Sequence, residues 1–167
     1  MFLKITKKLL LLLLLIILIS CTKMNYSSIM VTKVIDGDTI EIATGERVRL
    51  IGIDTPELHI SEKLYKDAKR TNKDIQTIQK LGEKAYYFAK KLMEGKKVKL
   101  EYDIEKKDRY GRLLAYVFLE DGTFINAKLV EEGYAKLYTF PPNVKYVYLL
   151  TRLQKEAREN TRGLWGN

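Results

Sequence analysis

The chain has 167 residues, one cysteine, one histidine and a formal net charge of +9. Hydrophobic residues make up 46% of it and aromatic residues 10%, which excludes a disordered chain and suits one packed domain. One cysteine excludes an intrachain disulfide, and with one histidine it argues against zinc or copper chemistry. A surface this basic is either a field for polyanions (nucleic acid, anionic lipid or acidic glycans) or a solvated lysine-rich face.

In chain order, residues 1–20 carry Lys4, Lys7 and Lys8, no acid, and an unbroken apolar run from Leu9 to Ile19. A cationic start followed by so short an apolar stretch reads as a secretory signal rather than a membrane span. Leu18-Ile19-Ser20-Cys21 resembles the bacterial lipobox. That resemblance implies cleavage before Cys21, lipidation of Cys21, a tether over 21–28, and a lipoprotein held at the bacterial cell envelope or surface. The alternative is an ordinary signal peptide or an uncleaved anchor. Without the leader the net charge is +6, because three lysines leave with it.

The domain is expected over 29–167. Ile29–Ile35 is a β-branched run that ends at the turn signal Asp36-Gly37-Asp38. Thr39–Thr44 alternates and stops at Gly45-Glu46. Arg47–Ile53 alternates again, with Val48 and Leu50 on one side and Arg47, Arg49 and Ile51 on the other. Val98–Tyr102 and Leu113–Leu119 complete five strands. Helical spacing covers Asn72–Met93, Phe124–Gly133 and Asn143–Asn160. Five short strands with about three helices predict an α+β, mainly β domain: a five-stranded OB-fold β-barrel.

Two segments bring carboxylates to strand ends, Asp36-Gly37-Asp38-Thr39 and Ile53-Asp54-Thr55-Pro56-Glu57. Asp38, Asp54 and Glu57 are hard oxygen donors, and an incomplete cage of this kind suits Ca²⁺ with waters and a phosphate in the open positions. The bland reading is that Asp36 and Asp38 are turn residues only. Arg49 lies five residues before Asp54, and Arg112 follows Tyr110-Gly111 at a strand start. Guanidinium forks and a metal suit the negative charge that phosphodiester cleavage builds on phosphoryl oxygens, although either arginine alone could be a rim salt bridge.

Taken together, Val34–Thr39, Val48–Glu57 and Asp108–Tyr116 resemble the thermonuclease, or staphylococcal-nuclease-like, family, and Leu129–Lys136 and Gly163-Leu164-Trp165 extend the likeness. The resemblance implies an OB-fold and Ca²⁺-dependent hydrolysis of DNA and RNA with low sequence specificity, leaving a 5′-hydroxyl and a 3′-phosphate. It implies Asp38 and Asp54 as calcium carboxylates and Thr55 as a carbonyl ligand. Glu57 corresponds to the general base or water-orienting group, and Arg49 and Arg112 to the phosphate-binding arginines. Tyr110 and Tyr138 match positions that contact the terminal phosphate or stack on a base; half-buried packing is the other reading for both.

Two features depart from the pattern. The segment from His59 to about Ile75 is polar and carries Lys63, Lys66, Lys69, Arg70 and Lys73, which either hold a nucleic-acid backbone or form a solvated charge run. Phe140 stands where a second tyrosine often occurs. A competing hypothesis is a non-catalytic nucleic-acid-binding OB-fold surface lipoprotein. Such a module has no need of Asp38, Asp54, Glu57, Arg49 and Arg112 together. The expected state is a monomer.

Overall fold

A computed structural model describes residues 28–71 and 74–166. The leader, Cys21 and most of the tether lie outside the described residues. Among the described residues no helix is long and apolar enough to cross a membrane.

The strands are β1 (Ile29–Asp36), β2 (Thr39–Ile42), β3 (Arg47–Leu50), β4 (Ile53–Asp54), β5 (Lys97–Glu101), β6 (Leu113–Leu119) and β7 (Lys136–Leu137). The helices are α1 (Glu62–Thr71), α2 (Ile75–Met93), α3 (Ile125–Glu131) and α4 (Val147–Glu159), followed by a 3₁₀ turn at Gly163–Trp165. Five strands close into a barrel in the order β1-β2-β3-β6-β5. All its pairings are antiparallel except β3 with β6, which run parallel. This is the OB-fold α+β architecture anticipated from the strand pattern.

Alternation builds the core. Val31 and Val34 from β1, Ile40 and Ile42 from β2, Val48 and Leu50 from β3, Val98 and Leu100 from β5, and Leu113, Ala115 and Val117 from β6 are all buried. Ala89 and Met93 of α2 and Ile125, Leu129 and Val130 of α3 join the same cluster. Fully burying a side chain of the Val, Leu, Ile or Met type contributes roughly 1.5–3 kcal/mol, so this set dominates the favourable side of folding.

Three details differ from the sequence reading. The stretch Arg47–Ile53 is not one strand: Gly52 has φ +80°, and the chain turns there to start β4, which pairs with β7 outside the barrel. Ile51, expected on the side of Arg47 and Arg49, is buried, and its N–H donates to Ala115 O at 3.0 Å. The buried Asn126 fixes this turn: its Nδ2 donates to Ile51 O at 2.9 Å while its Oδ1 accepts from Val117 N at 3.0 Å.

The second difference is α1, which occupies much of the polar 59–75 segment. Ser61 Oγ accepts from Leu64 N at 3.1 Å, the N-cap geometry that starts a helix, and Leu64 is fully buried. The third is α4, which starts at Val147 rather than near Asn143. The buried Asn143 side chain is engaged with the Glu105 backbone instead, at 2.8 and 2.9 Å. The start read at Asn72 for α2 lies outside the described residues; Asp74 is the observed N-cap, accepting from Thr77 N at 2.8 Å.

Candidate active site

The site grows from the β1–β2 turn. Asp36 Oδ1 accepts from Gly37 N at 2.7 Å, tightening the hairpin. A Cβ on Gly37 would lie 2.8 Å from the Thr55 side chain, so the turn and the end of β4 touch at the one residue without a side chain. Asp38 follows, buried, and its Oδ2 accepts from Thr55 N at 2.9 Å and Thr55 Oγ1 at 3.2 Å. The carboxylate of one strand end is thereby latched to the other.

Arg49 closes this group. β2 pairs with β3 so that Thr39 faces Arg49, which brings the guanidinium beside Asp38. Its Nη1 lies 2.7 Å from Asp38 Oδ2 and its Nη2 3.2 Å from Asp54 Oδ1. Asp54 Oδ2 lies 3.0 Å from Lys136 Nζ, which is also 3.5 Å from Asp67 Oδ1 on α1. The buried carboxylates of Asp38, Asp54 and Asp67 are thus met by the Arg49 and Lys136 cations. Burying charges is tolerable only with such pairing.

Arg112 reaches the same region by register. Arg49 sits opposite Leu114 in the parallel β3–β6 pair. Arg112 is two residues earlier, about 6.6 Å back along the strand direction and on the same outer side. Asp108 positions it: Oδ2 accepts from Arg112 Nε at 2.7 Å, and Oδ1 accepts from the Tyr110 and Arg112 amides at 2.9 and 3.0 Å. Gly111, at φ +80°, lets the turn close. Burial alone would raise the Asp108 carboxyl. The Arg112 side-chain hydrogen bond, the two amides and the Arg112 charge outweigh it and hold the group below its ordinary value.

Arg49 and Arg112 line one cleft of about 540 Å³, together with Asp108, Tyr110, Tyr138 and Phe140. Tyr110 is exposed, with the Arg109 and Arg112 guanidinium carbons 4.8 and 5.6 Å from its ring centre. Tyr138 is exposed as well and is anchored by its N–H to Gly52 O at 2.9 Å.

Glu57 follows β4 and is half-buried, with Ser61 Oγ 3.5 Å from its Oε2. Its backbone is braced by α2: a Cβ on Gly82 would stand 2.4 Å from Glu57 O. Among the described residues no three His, Cys, Asp or Glu side chains stand close enough to form a metal cage. The expected convergence of Asp38, Asp54 and Glu57 is therefore narrower in the structure. Asp38, Asp54, Thr55 and Arg49 are drawn together, while Glu57 occupies the adjoining turn. The Asp38 and Asp54 carboxylates and the Thr55 carbonyl are still an oxygen-only donor set of the kind Ca²⁺ accepts.

Lys136, Asp67 and Asp108 were not singled out from the sequence. Asp108 had a local signal, an aspartate three residues before a glycine. Lys136 and Asp67 had none, since their meeting depends on the β4–β7 pair and on α1.

A closed OB barrel with two guanidinium groups on one cleft, beside buried carboxylates, defines a nuclease of the OB-fold class. Residues 47–167 match the family described as staphylococcal nuclease homologue. The chain is 44% identical to the thermonuclease of Staphylococcus intermedius, over 87% of this chain and 80% of that protein. To the thermonuclease of Staphylococcus hyicus it is 38% identical, over 86% and 78%. To endonuclease YncB of Bacillus subtilis it is 33% identical, over 83% and 61%. The chain belongs to the staphylococcal nuclease homologue family.

Proposed function

We propose that this nuclease is Ca²⁺-dependent and hydrolyses phosphodiester bonds of DNA and RNA with little sequence preference, leaving 3′-phosphate ends. The observation that carries the reading is the single cleft onto which Arg49 and Arg112 both open, with Asp38 and Asp54 held against Arg49 at 2.7 and 3.2 Å. Asp38, Asp54 and the Thr55 carbonyl would hold the Ca²⁺. Once bound there, the ion supplies positive charge to the scissile phosphate.

The chain's own groups do the rest. Arg49 and Arg112 take the phosphoryl oxygens and neutralise the charge that grows on them in the transition state; one such donor is worth roughly 2.7–4 kcal/mol of barrier. The Glu57 carboxylate orients a water, or removes its proton, as the water oxygen attacks phosphorus. The phosphorus–O5′ bond breaks, so the phosphate stays on the 3′ side and the other fragment leaves with a 5′-hydroxyl. Arg112 acts there as a charge rather than an acid, because a guanidinium keeps its protons, and the departing O5′ takes its proton from water. Tyr110 and Tyr138 offer aromatic faces to the terminal phosphate and base, and stacking tolerates any base.

Residues 1–20 act as a lipoprotein signal, 21–28 as a tether and 29–167 as the catalytic domain. Cys21 carries the lipid that fixes a monomer to the cell envelope. Each buried acyl methylene contributes about 0.8 kcal/mol to that attachment.

The test is incubation with plasmid and with RNA, with Ca²⁺ or with EGTA. Cleavage only with Ca²⁺, to fragments whose 5′ ends accept phosphate from polynucleotide kinase without prior phosphatase treatment, supports the reading. Full turnover in EGTA refutes the metal assignment. Fragments that need phosphatase treatment first refute the end chemistry.

A further inference from the structure

No residue of α2 lines the cleft. The helix buries Ile78, Ala85, Ala89 and Met93 on its inner side. On its outer side Lys80, Lys84, Tyr87 and Lys91 recur at helical spacing and are all exposed, Tyr87 by 65%. Positions three and four apart share one side of a helix, so three cations flank one aromatic ring in a single stripe. A lone exposed tyrosine would be ordinary. This one is set among lysines on a face that the substrate cleft does not use.

Place in the fold identifies the occupant. Just after α2, Gly95 N donates to Val31 O at 2.9 Å, Val31 N donates to Lys96 O at 2.9 Å, and Met30 stands opposite Lys97. The first strand of the domain is thus stapled to the end of α2, with Met30, Lys96 and Lys97 exposed there. Ser28 is the seventh residue after Cys21, so the lead between them spans at most about 25 Å. A domain held to a bilayer through Cys21 keeps this end near it. Acids around the face are mostly engaged. Glu94 lies 3.3 Å from Lys90 Nζ and accepts from Val34 N at 3.0 Å, Glu120 accepts from Ser28 Oγ at 2.9 Å, and Asp121 accepts from Thr123 N at 2.8 Å. Glu83 borders the stripe. Lysines that reach headgroup phosphates, with a tyrosine ring at the boundary of water and lipid, suit an anionic membrane surface.

We propose that the Lys80, Lys84, Tyr87 and Lys91 face of α2, with Lys96 and Lys97 beside the first strand, docks on the anionic headgroups of the bilayer that carries the protein. Contact there leaves the cleft, which none of these residues lines, open to substrate. The inference rests on the reading of Cys21 as the lipid anchor and is independent of the nuclease chemistry.

The protein as bacteria process it is purified from their membranes in detergent and reconstituted into vesicles of phosphatidylcholine, alone or mixed with phosphatidylglycerol. Lysine acetylation is then read residue by residue by mass spectrometry. One lysine at an anionic surface favours contact about fivefold, so several together hold the docked state in excess. Acetylation of Lys80, Lys84 and Lys91 should slow at least about fivefold when phosphatidylglycerol is present. Lys155, exposed on α4, should react equally in both vesicles. In a Lys84→Glu/Tyr87→Asp variant, Lys80 and Lys91 should react equally in both as well. Rates at Lys80, Lys84 and Lys91 that ignore phosphatidylglycerol overturn the docking face, and so does equal slowing at Lys155. Slowing by DNA added in EGTA to phosphatidylcholine vesicles, where phosphatidylglycerol has no effect, overturns it by making the face a nucleic-acid site. A Cys21 found without acyl groups sinks the anchor reading, while slowing by added phosphatidylglycerol vesicles in that same protein upholds the face.

Discussion

Arg49 illustrates why single side chains here are hard to read by deletion. It is the shared partner of Asp38 and Asp54, both buried, so Arg49→Ala removes the cation proposed to act on the phosphate and also breaks a buried ion pair with Asp38, a cost of about 3–5 kcal/mol, while Asp54 keeps Lys136. Arg49→Lys keeps the charge and loses only the planar fork. We expect that variant to remain folded by thermal melting while single-turnover cleavage slows at least about a hundredfold; a loss under threefold would remove Arg49 from the transition state. Asp108 has a pH signature. Its carboxyl is depressed below 3.8, so the stability it contributes is present above that value and lost as pH falls through the lower folded-state value. Asp108→Asn should therefore lower Tm at neutral pH, with the gap to wild type closing on acidification below 3.8, and should slow cleavage by loosening Arg112. A gap that persists at low pH would mean that Asp108 acts through packing instead. At this scale Asp38, Asp54, Arg49 and Arg112 were legible because their motifs sit at strand ends. Lys136 and Asp67 were not, because a half-buried ion pair between segments 69 residues apart leaves no local pattern.

At the scale of elements, the packing of α2 against the turn after β4 decides where Glu57 stands. Gly82 is mid-helix, where Ala would ordinarily be favoured by about 1 kcal/mol. Its Cβ would stand 2.4 Å from Glu57 O, so the contact reverses the sign. Gly82→Ala should lower Tm, with overpacking costing about 1–3 kcal/mol, and should reduce kcat more than it raises KM. A higher Tm with unchanged kcat would show that helix propensity prevails and that Glu57 is placed by something else. The barrel strands β2, β3, β5 and β6 were readable from alternation at period two, and β1 from its β-branched run, since its buried Val31 and Val34 stand three apart across a register shift. The split of Arg47–Ile53 was not, since Gly52 and Ile51 take their places from Asn126, Ala115 and the β4–β7 pair. Helix α1 was hidden for a similar reason: its text is mostly charged, and its burial rests on Leu64 and Asp67.

At the scale of the whole molecule, the net positive charge suits a polyanionic substrate and the closed barrel carries the cleft on its outer side, while the proposed lipid would decide where the enzyme works. Cys21→Ala should release or mislocalise the protein in cell fractionation and leave cleavage by the extract unchanged; a variant that stays membrane-bound would remove the lipid assignment. The amino-acid order determined by itself what is local: strand alternation, turn glycines, helix periodicity, and the spaced carboxylates and arginines that mark the family. Only the tertiary structure decided what those residues meet. It made Arg49 the bridge between Asp38 and Asp54, set Arg112 on the same outer side through a parallel strand pair, and seated Lys136 between Asp54 and Asp67. The physical reason is that side-chain periodicity encodes which face of an element is buried, whereas register, closure and charge pairing depend on partners distant in the chain.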